Sequence, residues 1–217
     1  MQLYRFDPDL LAAAYGDVGS QVVEIVGAIR PGGWGEALSG AWDVKTLVAH
    51  TMRAFSGVTN YLVEGEGQGI ELVGPISYYT AAFASGVSTV DIDRRAVAAG
   101  KALEGDVAEQ CRSSYELAVA SVKEHSPDAP VKTPFGVMAL ADYLPSRIVE
   151  LVAHGEDLKA ATGSGVELAA DAVEVAAVTC SSVAAQRGLG VDALLVLTGR
   201  RATDRLNVLG FDAAGCK

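Results

Sequence analysis

The spacing of apolar residues constrains the fold of this chain more than any other feature, because it is helical along nearly the whole length. Asp7-Pro8 is a typical helix start, with an Asp at the N-cap and a Pro at the first helical position. Behind it, apolar residues recur at steps of three and four, and alternation of the kind seen in strands is nearly absent. The pattern predicts an all-α bundle. The seam consists of Leu11, Tyr15, Val18, Val22, Ile25 and Ile29.

Further helices follow from the same periodicity and from Gly and Pro breaks. One helix is expected to start at Asp43 and to run past Val58, with Val44, Leu47, Thr51 and Ala54 on its apolar stripe. We expect one long helix over Asp91–His125, weakened in its middle by Gly100 and Gly105. The other helices are expected at Tyr78–Ala84, Leu140–Gly163, Leu168–Gln186 and Ala193–Thr198. The segment Val131–Gly136 is expected to be a loop with at most a residue or two of extended structure. The predicted common core contains Leu11, Val18, Val22, Leu47, Val58, Leu151 and Leu158.

Charge and composition exclude several classes of function. The chain has 217 residues, 50% of them hydrophobic, which suffices for one sizeable core. A net charge of −10 argues against binding nucleic acid or an anionic membrane surface, since both require clustered Lys and Arg. No apolar run reaches the roughly 20 residues of a membrane span, and the first residues lack the apolar core of a signal peptide. We therefore expect a cytoplasmic protein whose three cysteines, Cys111, Cys180 and Cys216, are reduced.

A polar stripe lies on the predicted helix that ends at Gly163. Arg147, Glu150, His154 and Asp157 recur at steps of three, four and three, so their side chains share one face. The Cβ atoms of Glu150 and His154 should lie roughly 5–6 Å apart, close enough for both side chains to bind one divalent cation. The alternative is an ordinary solvated face.

Two further observations favour the metal site. A second polar edge, formed by Ser146, Glu156 and Lys159, provides a solvent side for the same helix and leaves the first stripe free to face inward. Another histidine, His50, lies three residues after Leu47, on the flank of the apolar stripe of the second predicted helix. Packing of these two helices would bring a third ligand to the stripe.

The segments around these histidines resemble the DinB-like bundle proteins, in the actinobacterial branch around mycothiol-dependent maleylpyruvate isomerase. One segment is Trp42-Asp-Val-Lys-Thr-Leu-Val-Ala-His50, which is similar to a Trp-x-x-x-x-Leu-x-x-His signature. The other has Arg147, Glu150, His154 and Asp157-Leu158, followed by Ala-Thr-Gly163. Pro134-Phe-Gly136 and Leu197-Thr-Gly-Arg200 also fit, whereas Glu156 stands where members often have Trp.

The resemblance implies a DinB-like four-helix bundle over residues 1–163 and a short C-terminal helical extension over residues 164–217. It also implies that His50, Glu150 and His154 hold a divalent metal, typically zinc, at one end of the bundle. Three N/O ligands with an open fourth position are the usual donor set of a catalytic zinc, although nickel, manganese and iron accept the same ligands.

The leading functional hypothesis is an enzyme in which the metal activates the thiol of mycothiol for isomerisation or S-transfer on a small electrophilic substrate, since a coordinated thiol is deprotonated. Arg147 would hold a carboxylate of the substrate or cofactor, or else form an ion pair with Glu150 or Asp157. Asp157 would orient a ligand histidine, or else be a surface acid. The alternatives are a metal-stabilised binding protein without turnover and a metal-dependent hydrolase. The expected partners are the small thiol and its substrate, in a monomer or homodimer.

Overall fold

Helices dominate the structure, a computed structural model that describes residues 5–38 and 40–201. The only other regular element in this part of the chain is an antiparallel two-stranded sheet. The predicted all-α fold is therefore confirmed. The elements are α1 (Pro8–Gly27), α2 (Val44–Thr51), α3 (Arg53–Gly65), α4 (Pro75–Ala84), α5 (Thr89–Ala102), α6 (Val107–Glu124), β1 (Pro130–Thr133), β2 (Gly136–Ala139), α7 (Leu140–Thr162), α8 (Ala170–Gln186) and α9 (Gly190–Leu197).

Local capping explains where the main helices begin and end. The side chain of Asp7 accepts hydrogen bonds from the backbone at the start of α1, and Asp43 accepts one from the Thr46 N–H at 2.7 Å at the start of α2. Helix α7 ends at Gly163, whose φ of 71° lies in the left-handed region that favours glycine. These three boundaries agree with the sequence prediction.

Helices α1, α3, α6 and α7 form the bundle, since each packs against two of the others around one core. All members of the predicted core are buried and belong to a single cluster, so that prediction is confirmed. Helix α8 packs on α1 and α7, α5 packs on α2, and α4 packs on α7 and α8. The proposed boundary between bundle and extension at residue 163 stays a prediction.

Three expectations about the helices and strands were wrong. The helix predicted over Asp91–His125 is two helices, because Gly105 turns the chain with a φ of 71° and Asp106 caps a new helix. The loop predicted over Val131–Gly136 is mostly a hairpin of β1 and β2. The helix that starts after Asp43 breaks at Met52, which divides it into α2 and α3.

Cys111 is buried and Cys180 is partly buried, and both thiols are free; Cys216 lies outside the described residues. None of the helices described is both long and apolar enough to cross a membrane.

Candidate metal centre

Two helices bring the three predicted metal ligands to one place. His50 lies in the last turn of α2, and Glu150 and His154 lie one turn apart on α7. The Nε2 atoms of His50 and His154 lie 3.7 Å and 3.4 Å from Oε2 of Glu150. One ligand atom from each residue falls within 4.8 Å of the other two. This spacing is close to that of three ligands bound to one zinc ion at about 2.0–2.2 Å, and their role as ligands stays a prediction.

The charges of the three side chains depend on one another. Burial would raise the pKa of the Glu150 carboxyl, but the adjacent imidazoles of His154 and His50 and the charge of Arg147 hold that pKa well below its usual range. Burial lowers the pKa of His50. Burial would also lower the pKa of His154, but the carboxylates of Asp157 and Glu150 outweigh burial and raise this pKa to about 9. At neutral pH in the metal-free protein, Glu150 and His50 are thus in the states that bind metal, whereas His154 must lose a proton.

Zinc affinity is therefore expected to rise by up to about tenfold per pH unit between pH 7 and 9, since the proton on His154 competes with the metal. Chelator competition at several pH values measures this slope. Asp157→Asn removes one of the two carboxylates that raise the pKa of His154, so in this variant the affinity should stop rising at a lower pH than in the wild type. An affinity that is independent of pH over this range in the wild type would contradict the assignment.

Trp42 covers the two imidazole rings. The centroid of its ring lies 5.0 Å from that of His50 and 6.4 Å from that of His154. Its indole N–H donates a 2.9 Å hydrogen bond to Asp93 on α5, which fixes the ring over the histidines. The sequence signature contains Trp42, but its position over both histidines was not foreseen.

Asp157 lies beside His154 on the outer side of the centre. Its Oδ2 is 3.1 Å from Nδ1 of His154, although 61% of the Asp157 side chain is exposed. A carboxylate in this position fixes the orientation of the ring and leaves Nε2 directed at Glu150. The predicted orienting role fits this contact and remains a hypothesis.

Arg147 is buried beneath the centre, in an aromatic setting. Its Nε donates to Oγ of Ser146 and its Nη2 donates to the hydroxyl of Tyr78, each at 3.1 Å. Its guanidinium carbon lies 4.9 Å from the ring centroid of Tyr143. Among the described residues, Arg147 forms no ion pair with Glu150 or Asp157, contrary to one of the two alternatives that the sequence left open. Ser146, expected on a solvent edge, is fully buried, and its hydroxyl accepts a hydrogen bond from this arginine.

A cavity of about 350 Å³ adjoins the candidate centre. Among its lining residues are His50 and Glu150 from the candidate centre, and Arg53, Arg95 and Arg147 give it a positive character. A larger cavity of about 750 Å³ lies between α4 and α8, but it touches none of the predicted ligands and its lining is uncharged. The smaller cavity is therefore the candidate binding site. Its aromatic wall consists of Tyr61, Tyr78, Tyr79, Phe135 and Tyr143.

The donor set fits a divalent metal. Two imidazoles and one carboxylate meet at a point where their side chains are 13–30% exposed, so one side of the centre faces the cavity and solvent. Three protein ligands of this kind leave a coordination position open for a further ligand.

One residue of the aromatic wall, Tyr143, could have been identified from its spacing in the sequence, but was missed. Tyr143 lies four residues before Arg147 and extends the polar stripe of α7 by one turn. Tyr78, Arg53 and Arg95 carried no such signal, because they come from other helices that reach the cavity only through tertiary packing.

Comparison with known proteins gives one family. A family model described as the mycothiol maleylpyruvate isomerase N-terminal domain matches residues 17–159, well over half of the chain. The matched span includes His50, Glu150 and His154. Neither a curated protein nor a solved structure matches the chain.

Proposed function

Because the chain belongs to the mycothiol maleylpyruvate isomerase N-terminal domain family, we propose that it is a metal-dependent enzyme that activates a low-molecular-weight thiol such as mycothiol. The activated thiol would serve isomerisation or S-transfer on a small electrophilic substrate. The observation that carries the proposal is the convergence of His50, Glu150 and His154, the first two of which line a cavity of small-molecule size.

In this proposal zinc is the metal, since two imidazoles and a carboxylate suit it and leave a fourth position open. When bound, the metal supplies Lewis acidity that makes a thiol ligand ionise near neutral pH. His50 and His154 provide neutral nitrogen donors, and Glu150 provides the negative charge. Asp157 keeps the imidazole of His154 in the orientation that presents Nε2 to the centre.

Arg147 is proposed to hold an anionic group of the substrate. A buried cation without a carboxylate partner is costly, and Arg147 has only neutral hydrogen-bond partners among the described residues. Of the five N–H donors of its guanidinium, those contacts use two, so an N–H edge remains that suits the two oxygens of a carboxylate.

Cobalt-loaded protein provides a test that does not require the natural substrate. Titration with mycothiol is expected to produce a thiolate-to-cobalt charge-transfer absorption band in the wild type. The band should be absent in His154→Ala and when an analogue with a hydroxyl in place of the thiol is added. Protein that retains cobalt but gives no band with mycothiol would contradict thiol activation, and thiol-independent ester hydrolysis by the same sample would identify a hydrolase.

A further inference from the structure

The larger cavity, of about 750 Å³, lies on the far side of α4 from the candidate metal centre. The helical period places Ser77, Thr80, Ala81 and Ala84, which line it, on the face of α4 opposite to Tyr78. Tyr78 lines the smaller cavity and accepts a hydrogen bond from the guanidinium beneath the centre. Whatever fills the larger cavity therefore packs against a helix that forms one wall of the candidate binding site.

Small side chains on two helices create the larger cavity. They are Ala81 and Ala84 on α4 and Ser181, Ser182 and Ala185 on α8. Oγ1 of Thr80 donates a 2.9 Å hydrogen bond to Oε1 of Gln186, which ties the two helices together beside the cavity. Val73 also lines the cavity, and it is 63% exposed. Since no lining residue is charged, this surface favours an uncharged and largely apolar occupant.

The start of the described chain lies at this cavity. The backbone N–H of Ala169, at the beginning of α8, donates a 2.8 Å hydrogen bond to Oε1 of Gln21 on α1. Phe6, just before α1, lines the larger cavity together with residues 178–186 of α8. Helices α1 and α8 are therefore antiparallel, and the chain that precedes Pro8 reaches the C-terminal half of α8.

The first four residues of the sequence suit this cavity by position and by chemistry. They read Met1-Gln-Leu-Tyr4, contain no charged side chain and lie outside the described residues. Tyr4 is within about 14 Å of Pro8, since an extended chain spans at most about 3.3–3.6 Å per residue. An extended chain also directs Tyr4 to the same side as Phe6, because side chains alternate with a period of two. The charged neighbours of Phe6, Arg5 and Asp7, are exposed.

We propose that residues 1–4 occupy the larger cavity, with the ring of Tyr4 seated between α4 and α8 beside Phe6. The segment then covers the small residues of both helices and the exposed Val73. It also supports α4 from the side opposite to Tyr78, so the N-terminal segment stabilises a wall of the candidate binding site without contact with the candidate metal ligands.

Thermal unfolding of the zinc-reconstituted protein, with no residues added at its N-terminus, tests the proposal. Tyr4→Ser removes the proposed occupant. Ala81→Trp and Ser182→Phe each fill the cavity from one wall, so that Tyr4 has no room there. Leu117→Ser is the matched control, because Leu117 is 61% exposed and lies on α6, which packs on α1 and α3. Circular dichroism checks that every variant keeps its helices.

Tyr4→Ser is expected to lower the melting temperature of the wild type by about 4 °C or more, because a buried ring is lost. In either filled background the same change should have almost no effect, since residues that share one space are energetically coupled. Leu117→Ser should have the same small effect in all backgrounds. Equal effects of Tyr4→Ser in the wild-type and filled backgrounds, or no effect in the wild type, overturn the proposal.

An apolar fluorescent dye distinguishes this occupant from a small molecule. Deletion of residues 1–4 should increase dye binding severalfold, and Ala81→Trp in the deleted protein should reverse the increase. Equal dye binding by the wild type and the deleted protein would show that the segment does not cover the cavity, and would overturn the proposal.

Discussion

Replacement of Glu150 with glutamine is expected to weaken zinc binding by more than about 100-fold. The reason is that Oε2 of Glu150 is the atom that both histidines approach, and a neutral amide replaces its charge. The loss of an outer partner of a ligand already costs about 10–100-fold in metal affinity, so the loss of a ligand should cost more. Chelator competition measures the affinity, and circular dichroism checks that the helices are retained.

Glu156→Gln is the control for this change. Glu156 lies on the same helix, but its side chain is exposed and pairs with Lys159 at 2.8 Å, away from the cavity. Zinc affinity should be unchanged in this variant. Equal affinities in the two glutamine variants would show that Glu150 is a surface acid and not a ligand.

Replacement of Gly65 with alanine is expected to destabilise the protein by about 3 kcal/mol or more, because the added methyl group has no room. Gly65 ends α3 where that helix crosses β1. A Cβ there would collide with the carbonyl oxygen of Pro130, and would lie 2.7 Å from its carbonyl carbon and 3.0 Å from the backbone nitrogen of Lys132. These are backbone atoms, so relief requires the hairpin to move away from the bundle.

Gly16→Ala provides the matched comparison. Gly16 lies inside α1, and a Cβ there would meet no atom within 4 Å. This change should stabilise the protein by about 0.5–1 kcal/mol, because alanine has the higher helix propensity. Urea denaturation gives both values. A Gly65→Ala midpoint equal to that of the wild type would show that α3 and β1 are farther apart than described.

The main helices were predictable because their apolar residues repeat with the helical period and their ends carry local signals. Asp43 and Gly163 mark such ends, and both predictions are confirmed. The break at Met52 was not predictable, because Val44 to Val58 keep an unbroken apolar stripe across it. The hairpin was missed because each strand has only four residues, too few to establish a period of two.

The candidate site was predictable to the extent that it lies on single helices. The spacing of Glu150 and His154 places both on one face of α7 whatever the rest of the chain does. The surroundings of Arg147 depend on Tyr78, which comes from α4, and no local pattern relates the two residues. Ser146 was placed on a solvent edge because the spacing along one helix does not show what other helices cover; in the structure it is buried.

Metal content after zinc reconstitution tests the central claim most directly. Wild type, His50→Ala and His154→Ala are incubated with zinc, desalted and subjected to elemental analysis, with circular dichroism as the check on folding. The wild type should retain close to one zinc per chain, and both variants should lose most of it, because each lacks one of three converging ligands. Near-stoichiometric zinc in the wild type that persists in both variants would contradict the assignment of this site.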